Sequence, residues 1–330
     1  MNATVLEFLE NLFQSSELNR LPAQYGGHRI FEAPTIGVSA GNDPIIGKFK
    51  QVITPAHLTP AEMWSKSAST RRGFREFQPL GRPLPNAGTW TDLADLSARL
   101  KVLSIVFPYT RSILMDGSRS TRRTPLTGLA LNLAHAFHTE VYEKTARFFV
   151  ENGHRVMVPQ HSRFHSVLLR PSNPHVVSVW SERHYAFAAG LGTFGLAEHL
   201  ITEHGCNVRL ASFITDAPLD VTPRASDDPF ANCLYYSRGT CAKCVARCPN
   251  GALTKGVHRK LLCEVIRQRE SARVRAEIKP FLKSIKRRFL YVPVEERPIG
   301  CALCQYDVPC MDKNPKAGQR PKNLQSQIAI

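Results

Sequence analysis

The sequence predicts an α/β protein in two parts, a larger mixed domain over residues 1–220 and a smaller cysteine-rich domain over residues 221–330. Three observations predict it. A strand, a long amphipathic helix and a second strand follow one another between Val102 and Gln160. Eight of the nine cysteines crowd between Cys233 and Cys310, where thiols, prolines and basic residues replace the composition upstream. The length of 330 residues exceeds the size at which one core keeps growing, so a large domain joined to a small one is the natural division.

The elements follow in chain order. The opening MNATVLEFLENLFQSSELNR reads as an amphipathic helix; it has no basic region followed by an uninterrupted apolar run, so we expect no export signal and a cytoplasmic protein. Residues 1–100 are otherwise rich in proline and glycine and predict an irregular wrap around a core. VLSIVFP, Val102–Pro108, is apolar and β-branched, as a buried strand requires. From Leu126 to Val150 apolar residues recur at three and four, and Gly153 supplies a stop. HRVMVPQ then completes a strand, helix, strand unit. Ser166–Arg170 and Asn207–Asp216 are further strand candidates, with a helix over Ser181–Ala189 between them. No run of about 18 apolar residues exists, which excludes a membrane-spanning helix.

Nine cysteines without an export signal argue against a disulfide framework and for metal. Cys241, Cys244 and Cys248-Pro249 supply C-x2-C-x3-C-P, the last three positions of the bacterial two-cluster pattern, in which one cysteine crosses to the other cluster. The first ligand is displaced upstream to Cys233, and Cys301, Cys304 and Cys310 form a second group, with Cys263 between them. Two [4Fe–4S] clusters need eight thiolates, and these are eight. By analogy with the crossed pattern, one cluster takes Cys233, Cys241, Cys244 and Cys310, and the other Cys248, Cys263, Cys301 and Cys304. Zinc on the two C-x2-C pairs is the alternative, but the gap between them far exceeds the roughly 15 to 20 residues of a zinc ribbon and leaves four thiols without a role. Cys206, in a strand, reads as a small buried hydrophobe.

The segment from Trp180 to Leu219, with Ala189-Gly190-Leu191-Gly192, then Gly195, then Thr215-Asp216 and Leu219, together with the cysteines downstream, resembles the epoxyqueuosine reductase and reductive dehalogenase superfamily. The resemblance covers roughly Val102 to Cys310. It implies a nitroreductase-like domain that holds a base-off cobalamin, followed by a ferredoxin-like domain that passes electrons to cobalt. On that carry-over Gly190, Gly192 and Gly195 let the backbone approach the corrinoid; read from the residues alone, they equally well cap a helix and turn the chain.

The sequence also departs from that pattern. Val176 stands where those enzymes carry a catalytic aspartate, and Leu196 and Ala197 where a lysine and an asparagine follow the glycine turn. Cys304 and Cys310 are five residues apart rather than three, and the short stretch after Cys310 predicts no appended helical-repeat domain for tRNA. Glu182, His184 and Tyr185, on the helix leading into the glycine loop, and Tyr109, ending the first strand, are the acid–base candidates in place of the aspartate; each has a structural role as its alternative.

The net charge of +16 implies an acidic partner. Between Lys255 and Arg288 twelve lysines and arginines face three glutamates, so a basic helical insert over residues 255–290, bent at Pro280, links Cys263 to the second group. It suits an acidic ferredoxin or flavodoxin; tRNA is the alternative, although no aromatic interleaving of the kind that suggests base stacking is present. The whole reading is a two-cluster iron–sulfur oxidoreductase, with three rivals: epoxyqueuosine reduction itself, an electron carrier without chemistry of its own, and a zinc-stabilised nucleic-acid-binding protein.

Overall fold

The protein is described from a computed structural model, over residues 1–68, 93–162, 164–165, 167–169, 176–284, 288–289, 292–293 and 299–316. Parts of two expected elements lie outside the described residues: positions 166 and 170 of the third strand, and positions 285–287 and 290 of the basic insert.

Helix α1, Asn2–Ser15, buries Val5, Leu9, Leu12 and Phe13, one apolar stripe at helical spacing. Strand β1, Thr35–Ala40, and helices α2, Pro44–Val52, α3, Pro60–Ala68, and α4, Leu93–Arg99, follow. The turn-rich composition predicts only irregular chain here, whereas β1 is the edge strand of the main sheet. Strand β2, Lys101–Pro108, is buried from Val102 onward, which explains its unbroken apolar run. After α5, Arg111–Ser118, comes α6, Pro125–Glu151, whose Thr124 cap accepts a hydrogen bond from the Thr127 amide at 3.1 Å, with proline in the first turn. Gly153 follows it at φ +81°, as its expected stop. Strand β3 is Val156–Met157, and β4, Val167–Leu169, pairs with β5, Val176–Ser178. Helix α7, Glu182–Ala188, leads to the two-residue strands β6, Thr193–Phe194, and β7, Leu200–Ile201, and then to β8, Val208–Thr215.

The main sheet has the order β1-β2-β8-β3, and every neighbouring pair is antiparallel. The α/β expectation therefore needs a correction of topology: this is a mixed α/β fold with antiparallel pairing. Strands β2 and β3 do run the same way, as a strand, helix, strand unit requires, but β8 is inserted between them and hydrogen-bonds to both. Phe107, Phe137, Phe149 and Phe213 are fully buried where α6 meets the sheet. Among the described residues no helix is long and apolar enough to cross a membrane.

Asn19 fixes the chain that leaves α1. Fully buried, its amide donates to the Phe13 and Phe31 carbonyls at 2.8 and 3.1 Å and accepts from the Phe31 amide at 2.9 Å. Truncation leaves several buried backbone groups without partners, each worth about 1–3 kcal/mol. We expect Asn19→Ala to lower unfolding stability in urea by about 3 kcal/mol; a loss below about 0.5 kcal/mol would show that these bonds are replaced by water.

Candidate metal centre

The thiol segment is built from short helices that cannot form cores of their own. Cys233 precedes α8, Leu234–Arg238, which ends at Gly239 with φ +67°; Cys244 lies in α9, Lys243–Ala246, and Cys263 in the first turn of α10, Lys260–Ser284. Two backbone bonds tie this segment to the main sheet. The Cys206 amide donates to the Cys310 carbonyl at 2.7 Å and the Asn207 amide to the Met311 carbonyl at 3.3 Å, just ahead of β8. Gly205 permits the approach: at φ +81°, a β-carbon there would stand 2.6 Å from the Asp312 and Lys313 amide nitrogens.

Cys233, Cys241, Cys244 and Cys310 line one small solvent-connected cavity of about 30 Å³, with Cys206 and Cys304 in the same wall. Leu196, Ile201 and Val308 make the rest of the lining mainly apolar. Cys248, Cys263 and Cys301 are not in its lining. The charge that each thiol feels maps this division. Burial and then the sulfurs of Cys310, Cys233 and Cys241 push the Cys244 thiol up to about 12. Burial and then Cys301, Cys263, Cys244 and Cys248 push the Cys304 thiol far above its usual range. Cys304 thus stands between the two sets. Cys206 and Cys310 are in sulfur–sulfur contact at 3.8 Å, with Cys206 pushed up and Cys310 held down by that contact.

A zinc ion needs four donors about 2.0–2.3 Å from one point. Among the described residues no three or more His, Cys, Asp or Glu side chains are gathered as a ligand set for a single ion. The thiols surround a space instead. An all-sulfur donor set around a cavity fits a polynuclear cluster, in which each iron takes one thiolate.

Nitrogen donors reach three of these sulfurs. The Leu253 amide points to Cys248 Sγ at 3.4 Å. His199 Nε2 lies 3.2 Å from Cys304 Sγ. Beside Cys263, the His258 ring is raised to about 9 by that thiol and by the Glu198 carboxylate, 3.4 Å from its Nδ1. None of these histidines carries a motif, and no local signal in the sequence announces them.

The glycine loop does something other than the resemblance implies. Gly190, at φ +76°, is the left-handed cap of α7: its amide donates to the Phe187 carbonyl, and the Leu191 amide to the Ala186 carbonyl. A β-carbon at Gly190 would stand 2.8 Å from the Pro223 carbonyl oxygen, and one at Gly192 2.5 Å from that of Ile201. Gly195 faces the Ile201 side chain at 3.1 Å. The space that these glycines free is thus filled by the chain itself, and they do not form a cradle for a corrinoid.

The acid–base candidates divide. Tyr185 is fully buried, stacks on Trp180 at 3.7 Å and donates to the Leu58 carbonyl at 2.7 Å. The His184 ring bonds the Ser181 hydroxyl at 2.7 Å, and burial, then Arg183 and His57, lower it to about 3. Both are held as structural groups. Tyr109 is buried beside Phe31 with its hydroxyl unpaired, and burial raises it to about 12. Glu182 has both carboxylate oxygens buried, and burial raises it to about 7. The Ser212 hydroxyl, which accepts from the Trp180 indole at 2.9 Å, draws Glu182 part of the way back, although no donor reaches either oxygen at hydrogen-bonding distance. Val176, where the resemblance expects the aspartate, lies in β5.

No protein-family model matches the chain, and no curated protein does. Among solved structures it is similar to a selenomethionine-labelled epoxyqueuosine reductase, at 14% identity and a TM-score of 0.39, over 96% of this chain and 69% of that one. It is similar to an epoxyqueuosine reductase with a tRNA-Tyr epoxyqueuosine-modified stem loop, at 15% identity and a TM-score of 0.37, over 96% and 69% of the two chains. A third, from Bacillus subtilis with its catalytic loop swung out of the active site, gives 15% identity and a TM-score of 0.31 over 86% and 65%. At that distance the likeness is one of outline and carries nothing about activity.

Two outcomes follow for these residues. A raised carboxyl in the folded state binds its proton more tightly than in the unfolded chain, so it costs nothing below its unfolded value of 4.5 and destabilises progressively as pH rises towards about 7. Glu182→Gln should match wild type in urea near pH 4.5 and exceed it by about 2–3 kcal/mol above pH 7; a pH-independent difference would show that the carboxyl is not perturbed. Gly192→Ala should lower stability by about 1–3 kcal/mol, equally with and without added cobalamin. A variant of unchanged stability that loses only cobalamin binding would return the loop to a corrinoid role.

Proposed function

We propose that the protein is an oxidoreductase that carries two [4Fe–4S] clusters, one on Cys233, Cys241, Cys244 and Cys310, the other on Cys248, Cys263, Cys301 and Cys304. The observation that supports it best is the convergence of the first four thiols on one cavity, across 77 residues of sequence from Cys233 to Cys310. When bound, the clusters supply one-electron storage and transfer. The chain supplies soft ligands, an apolar wall that restrains water, and N–H donors at the sulfurs.

Electrons enter near Cys263 in this reading. Of the six large apolar side chains exposed among the described residues, Val257, Leu261, Leu262 and Val265 lie within nine positions around that cysteine. Basic side chains of the same segment, among them exposed Arg269, adjoin them. An apolar patch with a basic rim suits a small acidic electron donor such as a ferredoxin or flavodoxin. tRNA remains the alternative partner, after the tRNA stem loop carried by one of the similar structures. The proton that a reduction consumes would come from Glu182, the candidate whose value lies near neutrality. A corrinoid has no support from these glycines, since Gly190 and Gly192 face the chain's own backbone and Gly195 the Ile201 side chain. The same observation favours a second reading, an electron carrier that delivers to a partner and performs no chemistry itself.

Metal analysis after anaerobic reconstitution, with cobalamin added and the excess removed, tests this. We expect about eight irons per chain, and about four in Cys241→Ser and in Cys304→Ser. Cobalt bound in proportion to protein would favour a corrinoid reductase and its absence the carrier, whereas zinc in place of iron would overturn the proposal.

A further inference from the structure

A relay of side chains ends on one cluster ligand. Gln305 Nε2 lies 3.1 Å from the Cys206 carbonyl oxygen and 3.4 Å from His199 Nδ1. A backbone carbonyl only accepts, so the amide nitrogen of Gln305 must face it, which fixes the amide against a flip. That NH₂ group then donates to Nδ1. With Nδ1 an acceptor, the proton of the neutral ring sits on Nε2, and Nε2 points at Cys304 Sγ from 3.2 Å. The backbone holds the ring in place: the Gly195 amide donates to the His199 carbonyl at 2.8 Å, and the Glu198 amide to the Gly195 carbonyl at 2.8 Å. Glu198 itself is left-handed at φ +59° in this turn.

We infer that His199 is a positioning residue that sets the reduction potential of the cluster ligated by Cys304, and that Gln305 sets the tautomer in which His199 does so. This rests on the two-cluster reading above. An N–H directed at a thiolate sulfur draws electron density from it and stabilises the reduced cluster, which carries one more negative charge, so the potential rises. The hydrogen-bonding contact is with Cys304 Sγ, while the ring also lines the cavity shared by Cys233, Cys241, Cys244 and Cys310; the turn that delivers it belongs to the β6–β7 hairpin rather than to the thiol segment. The loop from Gly190 to Gly195 thereby acquires a use: it folds the hairpin that carries His199 to the sulfur.

The test is a redox titration of the reconstituted full chain, followed by electron paramagnetic resonance, in wild type, His199→Leu, His199→Gln and Gln305→Leu. One of two midpoints should fall in His199→Leu by about tenfold in the one-electron equilibrium constant, close to 59 mV. His199→Gln, which retains an N–H donor, should recover part of it, and the other midpoint should move by clearly less. Gln305→Leu frees the tautomer and should lower the same midpoint by a smaller amount. If His199→Leu fails to assemble both clusters, the decision passes to Gln305→Leu. Unchanged midpoints, or equal shifts in both, would overturn the role of His199 while leaving the clusters in place. A wild-type chain that takes up no iron would instead defeat the two-cluster reading itself.

Discussion

The candidate centre depends on the backbone hydrogen bond from the Cys206 amide to the Cys310 carbonyl, 2.7 Å long. It joins residues 104 positions apart and brings the last thiol of the chain to the foot of the central sheet. The pieces that carry Cys233, Cys241, Cys244 and Cys248 have little core of their own: α8 and α9 are five and four residues long, with no buried residue in either. Such pieces do not persist alone in water. Their thiols are held in one place because the sheet is rigid and the chain is fastened to it at both ends of the long excursion. Gly205 is the residue on which this closure turns, since any side chain there would meet the Asp312 and Lys313 amides.

How much of this was legible in the sequence depends on the range of the interaction. VLSIVFP and the helix after it announce themselves by local pattern and appear as β2 and α6. The antiparallel order was not legible, because β8 enters between β2 and β3 from 50 residues beyond β3. No local pattern states which edge a later strand will take. β1 was hidden among turn formers: its Gly37 reads as a breaker, yet a β-carbon there would stand 2.4 Å from the Ala189 carbonyl, so the glycine serves close packing inside the strand. The cysteines were legible because spacing is the signal for them. His199 and Gln305 were not, since they act through long-range contacts; Cys206 was legible as a buried residue but not as the partner of Cys310.

The positive charge also divides between internal and external uses. Glu270, buried on α10, receives hydrogen bonds from Arg273 and Arg122 at 2.8 and 3.0 Å and from the Arg123 amide at 3.2 Å. Burial pushes its carboxyl up, but these three donors outweigh it and hold the group below its usual range. Arg123 in turn donates to the Thr127 carbonyl at 2.7 Å and to that of Cys301 at 3.3 Å. Where α10 crosses α6, Gly128 lets Val274 come close; a β-carbon would meet it at 2.5 Å. Arg273 of the basic run is thus used internally, with Arg122 and Arg123, in docking one helix on another. Arg267 and Arg269 of the same run are exposed beyond Cys263, close in sequence to the exposed Leu261, Leu262 and Val265.

The β6–β7 hairpin is where these strands of argument meet. From one short turn Glu198 reaches His258 at 3.4 Å and Lys260 at 3.2 Å, while His199 reaches Cys304. Burial raises the Glu198 carboxyl, but His258 and Lys260 outweigh it and bring the group down to about 2; His258 is raised in turn. Adjacent residues therefore bind the basic segment by charge and the Cys304 sulfur by a hydrogen bond, and the loop of small residues that precedes them sets their position. A glycine-rich loop that looks like a ligand cradle in sequence can instead shape the protein surface that faces a metal centre. Its lack of side chains then serves the chain's own packing, and the contacts with the thiol segment are made by the residues three and four positions beyond Gly195.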